Sequence, residues 1–132
     1  MLLLKPDGVE KQLETIARGH LLAHGMTIAM ELSGSLPKQA AEALYEEHRH
    51  RGDFDELIAF ITSGTVHLFV FDGDEAVEVG KIIVGKGEHS QGLRQAWYTG
   101  GYANAAHCPD CPADAAREIR LVSDGLAQGT VD

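Results

Sequence analysis

Apolar positions along this chain fall into short blocks of two different periods, and the blocks predict its elements in order. LLLK, residues 2 to 5, followed by PDG reads as a short buried strand ending in a turn, because Pro6 fixes its own φ and Asp7-Gly8 favours a tight reversal. Leu13, Ile16, Ala17, His20, Leu21 and His24 recur at helical spacing, and Gly25 supplies the stop. MTIAMEL sets Met26, Ile28, Met30 and Leu32 against Thr27, Ala29 and Glu31, the alternation of a strand with one strongly buried face. From Pro37 to His48 the period is helical again, with Ala41, Leu44, Tyr45 and His48 on one side, and a second short helix fits Phe54 to Ile61. TVHLFVFDGD is the plainest strand, rich in β-branched and aromatic residues and closed by Asp-Gly-Asp. A helix of roughly Glu75 to Val84 follows, ended by Gly85.

Residues 85 to 103 carry Gly85, Gly87, Gly92, Gly100 and Gly101 without a sustained period, which predicts a long ordered loop of the kind that usually serves function. A short extended piece leads to His107, and CPADAAREIRLV is a helix with Pro112 in its first turn and Asp114 near its positive end. The tail SDGLAQGTVD has little to anchor it. The order is β-α-β-α-α-β-α-loop-β-α. Setting aside the extra short helix leaves β-α-β-β-α-β, an α+β, ferredoxin-like antiparallel sheet covered by helices. There is no internal repeat or linker, so one domain is expected over residues 1–132.

Composition narrows the partners. Hydrophobic residues make up 44% and charged residues 23% of the 132, the balance of a chain with a packed core. The formal charge of −9 disfavours nucleic acid and anionic membrane surfaces as partners. MLLLK is too short for a signal-peptide core and no apolar run reaches the length of a membrane span, so a cytoplasmic protein is expected. A phosphate ligand would need the few cations near glycines or apolar runs: Lys5, Arg51, Lys81 and Arg94.

The candidate chemistry gathers at NAAHCPDC, residues 104 to 111, where His107 precedes a Cys-x-x-Cys. His107 alone reads as a nucleophile, a metal ligand or a packed ring. Cys108 and Cys111 read as ordinary thiols, a redox pair or part of a metal site. HRHR at 48 to 51 is a solvated helix end by default, with Arg51 alone placed to reach a cleft.

KPDGV at 5 to 9, SGTVHLFVF at 63 to 71 and NAAH at 104 to 107, in this order and spacing, resemble the nucleoside diphosphate kinase family. The register holds from Lys5 to Glu118 apart from a deletion between Gly87 and Arg94. The resemblance implies a ferredoxin-like core and a two-step transfer. A nucleoside triphosphate phosphorylates a histidine, which hands the group to a nucleoside diphosphate, with Mg²⁺ carried on the nucleotide phosphates and a homo-oligomeric assembly. On it, His107 is the nucleophile, Glu118 orients its ring, and Tyr45 lies beside the phosphohistidine. Lys5, Arg51, Lys81 and Arg94 gather phosphate oxygens, Asn104 with Lys5 faces the sugar hydroxyls, and Asp53 and Leu57 lie on the nucleotide side. The chemistry suits these residue types independently: a neutral imidazole attacks phosphorus near pH 7, and a carboxylate fixes its tautomer.

This chain departs from the family pattern in places. Asp53 and Gly101 stand where the family clamps the base between a Phe and an apolar residue, Lys81 replaces an Arg, Gly87 a Thr and Pro109 a Ser. The competing expectation is therefore a catalytically weak or inactive nucleotide-binding module of the same fold.

Overall fold

Leu2, Leu3 and Leu4 form β1 (Leu2–Leu4), and all three are fully buried. An unbroken apolar run in place of alternation is what a strand covered on both faces requires. The computed structural model, which describes residues 1–85 and 105–129, shows both coverings. β1 pairs with β3 (Thr65–Asp72) on one side and β4 (Ala106–His107) on the other, and β2 (Thr27–Ser35) closes the far edge of β3. Every pair is antiparallel and the order is β2-β3-β1-β4. β1 and β2 therefore run parallel with β3 between them, the split arrangement of the ferredoxin-like fold.

The helices are α1 (Pro6–Glu10), α2 (Glu14–Ala23), α3 (Lys38–Leu44), α4 (Phe54–Ile61), α5 (Ala76–Val84) and α6 (Pro112–Gly129), with a 3₁₀ turn at Glu46–His48. On one sheet face Leu3, Val66 and Leu68 pack with Leu44, Leu57, Ile61, Val122 and Leu126 from α3, α4 and α6. On the other, Leu2, Leu4, Phe69 and Phe71 pack with Ala17, Leu21, Ile83 and Val84 from α2 and α5.

Four expectations change. PDG opens helix α1 instead of a turn: Lys5 is extended, Pro6 sits where a missing N–H costs nothing, and the Val9 N–H donates to the Lys5 carbonyl at 3.0 Å. The buried stripe of α2 is narrower than its period suggested. Leu13, Ala17 and Leu21 are buried, while Ile16, His20 and His24 face solvent. The tail is anchored through Gly129, because Ile119, Val122 and Leu126 continue the helical stripe past Ser123 and Asp124. Gly125 lets α6 approach α3 closely, since a Cβ there would lie 2.8 Å from the Ala40 Cβ.

β2 is also not the singly buried strand its alternation predicts. Its register slips between Ile28 and Met30, so that Ile28 pairs with Phe71 but Met30 with Val70. A one-residue bulge moves every later side chain to the opposite face. Ile28 thus joins the Phe71 side, Leu32 the Leu68 side, and Met30 is left 36% exposed on this edge strand. The loop expected over residues 85 to 103 lies outside the described residues from Lys86 onward.

The bulge delivers Glu31 to the same face as Phe69, where Arg18 donates through Nε at 3.0 Å and through Nη2 at 2.6 Å, and His67 Nε2 lies 2.8 Å away. The Arg18 hydrogen bonds, with His67 second, pull the Glu31 carboxyl from about 4.5 down to about 2. Because the folded value is depressed, Glu31 adds stability above its unfolded value that is lost as pH falls toward 2. Acid melting of wild type is expected to steepen between roughly pH 4.5 and 2 relative to Glu31→Gln. Parallel pH-stability curves for the two proteins would contradict this.

Candidate active site

Strand pairing puts His107 opposite Leu3, on the sheet face that carries α3, α4 and α6. Glu118, at the second turn of α6, meets it there with Oε1 2.6 Å from Nε2. Tyr45, at the C-terminal end of α3, sets its ring 5.3 Å from the imidazole at 66°, edge against face. Lys5, the residue after β1, holds Nζ 5.9 Å from the centre of the same tyrosine ring.

Lys5 and Glu118 are 3% and 5% exposed, and among the described residues they are the buried charged side chains. Burying a charge is costly unless it is paired and hydrogen-bonded. Two such burials of opposite sign around one imidazole and one phenol mark a working site more strongly than any of these residues does in the sequence. Arg117, which the sequence reading did not single out, supports Glu118 from outside: its Nη2 is 3.6 Å from Glu118 Oε2 and its Nη1 donates to the Ala43 carbonyl at 3.3 Å. A basic neighbour on a helix has no periodic signature, so only the α3 to α6 packing reveals it.

A second group of residues, also missed, shapes the approach to His107. Ala105 is left-handed at φ 72°, a conformation that costs a non-glycine residue about 1 kcal/mol or more. Its N–H donates to Asp7 Oδ2 at 2.9 Å and its carbonyl accepts from the Lys5 N–H at 2.8 Å. Asp7-Gly8 after a strand looked like turn chemistry, which hid this second use.

The structure brings His107, Glu118, Tyr45 and Lys5 together. It holds two of the other expected phosphate cations, Arg51 and Lys81, in local pairs. Arg51 donates to Asp53 through Nε at 2.9 Å and Nη2 at 2.6 Å, and Lys81 on α5 lies 3.9 Å from Glu78. Leu57 is a core side chain of α4, one turn on from Asp53. Arg94, Asn104, Gly87 and Gly101 lie outside the described residues. Cys108 and Cys111 are half-buried thiols. Among the described residues no group of three or more His, Cys, Asp or Glu is placed to hold a metal ion.

The fork of Arg51 on Asp53 is the geometry a carboxylate shares with a phosphate. If Arg51 meets nucleotide phosphate, Asp53 competes with that ligand from two residues away. Both groups are partly exposed, so the pair is worth under about 1 kcal/mol. Asp53→Ala is expected to lower the KM for nucleotide by about two- to fivefold with kcat little changed. Initial-rate measurements check it, and an unchanged or raised KM would show that Arg51 does not exchange partners.

Comparison with known proteins points to a family. The family described as nucleoside diphosphate kinase matches residues 1–125. The nucleoside diphosphate kinase of Frankia casuarinae is 36% identical, over 96% of this chain and 96% of its own length. That of Metallosphaera sedula is 32% identical, over 90% and 88%. Among solved structures, the Aquifex aeolicus nucleoside diphosphate kinase superposes with a TM-score of 0.81 at 27% identity, covering 92% of this chain and 91% of that one. The Halobacterium salinarum enzyme, solved in complex with CDP, gives 0.81 at 27% identity over 91% and 83%.

Proposed function

The chain belongs to the nucleoside diphosphate kinase family, and from that premise we propose how its residues move the γ-phosphate of a nucleoside triphosphate to a nucleoside diphosphate. The observation that carries the reading is the 2.6 Å contact between His107 Nε2 and buried Glu118. A carboxylate accepts, so the proton sits on Nε2 and the ring nitrogen with the lone pair is Nδ1. Nδ1 attacks the γ-phosphorus, the N–P bond forms as the bond to the β,γ-bridging oxygen breaks, and the diphosphate leaves. A terminal oxygen of a second diphosphate then attacks the same phosphorus and restores the imidazole. Glu118 stabilises the positive ring that exists between the two steps.

Phosphoryl transfer depends on positioning and charge. Lys5 supplies a fixed positive charge beside Tyr45, whose ring edge limits the tilt of His107. By the family resemblance, Arg51, Lys81 and Arg94 are assigned to the phosphates and Asn104 to the sugar, with Asp53 and Leu57 on the nucleotide side. Mg²⁺ would enter on the nucleotide phosphates and offset their charge. A cytoplasmic homo-oligomer is carried over from the family resemblance. A non-catalytic nucleotide sensor is the weaker reading, because it gains nothing from a buried carboxylate aimed at an imidazole. Steady-state rates with ATP against several diphosphates test the proposal. Parallel double-reciprocal lines are expected, and intersecting lines would refute a phosphorylated intermediate.

A further inference from the structure

We infer that Asp7 and Gly8 are positioning residues for His107, acting as a clamp that holds Ala105 left-handed; the inference rests on His107 being the nucleophile. Ala105 lies two residues before His107, immediately ahead of β4, and is fully buried. Its backbone is bound at both polar groups by one stretch of chain. Asp7 Oδ2 accepts its N–H at 2.9 Å, and the Lys5 N–H donates to its carbonyl at 2.8 Å. Gly8 completes the clamp by having no side chain, since a Cβ there would lie 2.4 Å from the Ala105 carbonyl oxygen.

Each component points to the backbone of Ala105 as its object. Left-handed alanine is disfavoured and persists only where its surroundings over-determine it. Asp7 Oδ1 is buried with no hydrogen-bond partner among the described residues, so the hydrogen bond the described residues show for the Asp7 side chain is the one to Ala105. β4 is two residues long, so its pairing with β1 is brief. Without the clamp the segment gains the ordinary right-handed or extended conformations at Ala105, and His107 loses the angle at which Nε2 meets Glu118. The Lys5 backbone bond ties the same segment to the residue that supplies the buried positive charge, so imidazole and ammonium are set by one device.

The test uses Asp7→Ala, Asp7→Asn, Ala105→Gly and the Asp7→Ala/Ala105→Gly pair, with kcat, KM, thermal melting and phosphoryl labelling of the protein read for each. Asp7→Ala is expected to lower kcat at least tenfold with KM within twofold. Asp7→Asn keeps an acceptor and should stay within about threefold of wild type. Glycine removes the penalty of positive φ, so Ala105→Gly should recover most of the kcat lost in Asp7→Ala. A purely structural role would lower the melting temperature of Asp7→Ala while kcat per folded molecule stayed at the wild-type value. Unchanged kcat in Asp7→Ala, or a loss that Ala105→Gly does not recover, overturns the clamp. Should Asp7→Ala not fold, Gly8→Ala is the second variant: tenfold lower kcat at unchanged KM is expected, and wild-type kcat overturns the inference. Labelling of wild type is the control that separates the two readings. Its absence would remove the phosphohistidine itself, whereas labelled wild type with equally fast Asp7→Ala removes only the clamp.

Discussion

Replacing His107 with alanine is expected to lower phosphoryl transfer by about four orders of magnitude or more, an increase in barrier of roughly 5 to 6 kcal/mol. In the proposed mechanism the imidazole forms the bond to phosphorus, so no neighbouring side chain compensates. The surrounding cations keep their positions, and nucleotide binding should persist with a dissociation constant within a fewfold of wild type. Steady-state turnover and a separate equilibrium binding measurement check both halves. A His107→Ala protein retaining even a hundredth of the wild-type rate would point to direct transfer between the two nucleotides.

The second large effect is at Glu118. Glutamine is nearly isosteric but can turn either an oxygen or an NH₂ toward His107, and the NH₂ favours the tautomer with its proton on Nδ1, which cannot attack. It also removes the charge that stabilises the phosphorylated ring. A fall in kcat of about 10²-fold is expected with KM within about twofold, because the loss is felt at the reacting nitrogen and not in nucleotide contacts. A KM effect that exceeds the kcat effect would place Glu118 in substrate binding instead. Arg117, 3.6 Å from the same carboxylate and partly exposed, should matter far less.

Much of this architecture was legible in the sequence because burial leaves periodic traces. The LLL run, the β-branched TVHLFVF and the helical stripes of α3, α4 and α5 each announce the face they bury, and together they give the ferredoxin-like order. Bulges leave no such trace. The slip between Ile28 and Met30 is set by pairing with β3 and reverses the faces of Ile28 and Leu32, which strict alternation placed together. The final turns of α6 were hidden because Ser123, Asp124 and Gly125 have loop composition, while what decides them is Leu126 and Val122 finding the core and Gly125 finding α3.

The site was legible to a different depth. His107, Glu118, Tyr45 and Lys5 entered through motif order and spacing, and the structure gathers them around one imidazole. Spacing could not show that Arg51 is already engaged by Asp53, since a pair two residues apart depends on the turn between them. Nor could it show Asp7 reaching Ala105 across 98 positions of sequence. Contacts of that kind are made by strand pairing, and they become visible only when β1 and β4 lie side by side.

A phosphoryl group on Nδ1 of His107 is tested most directly by ³¹P NMR of the protein after brief exposure to Mg²⁺ and ATP, beside the His107→Ala variant. One acid-labile, alkali-stable resonance is expected at the shift of an Nδ1-phosphohistidine, discharged by added diphosphate and missing from the variant. A resonance assigned to the Nε2 isomer, or one that survives in His107→Ala, would contradict it.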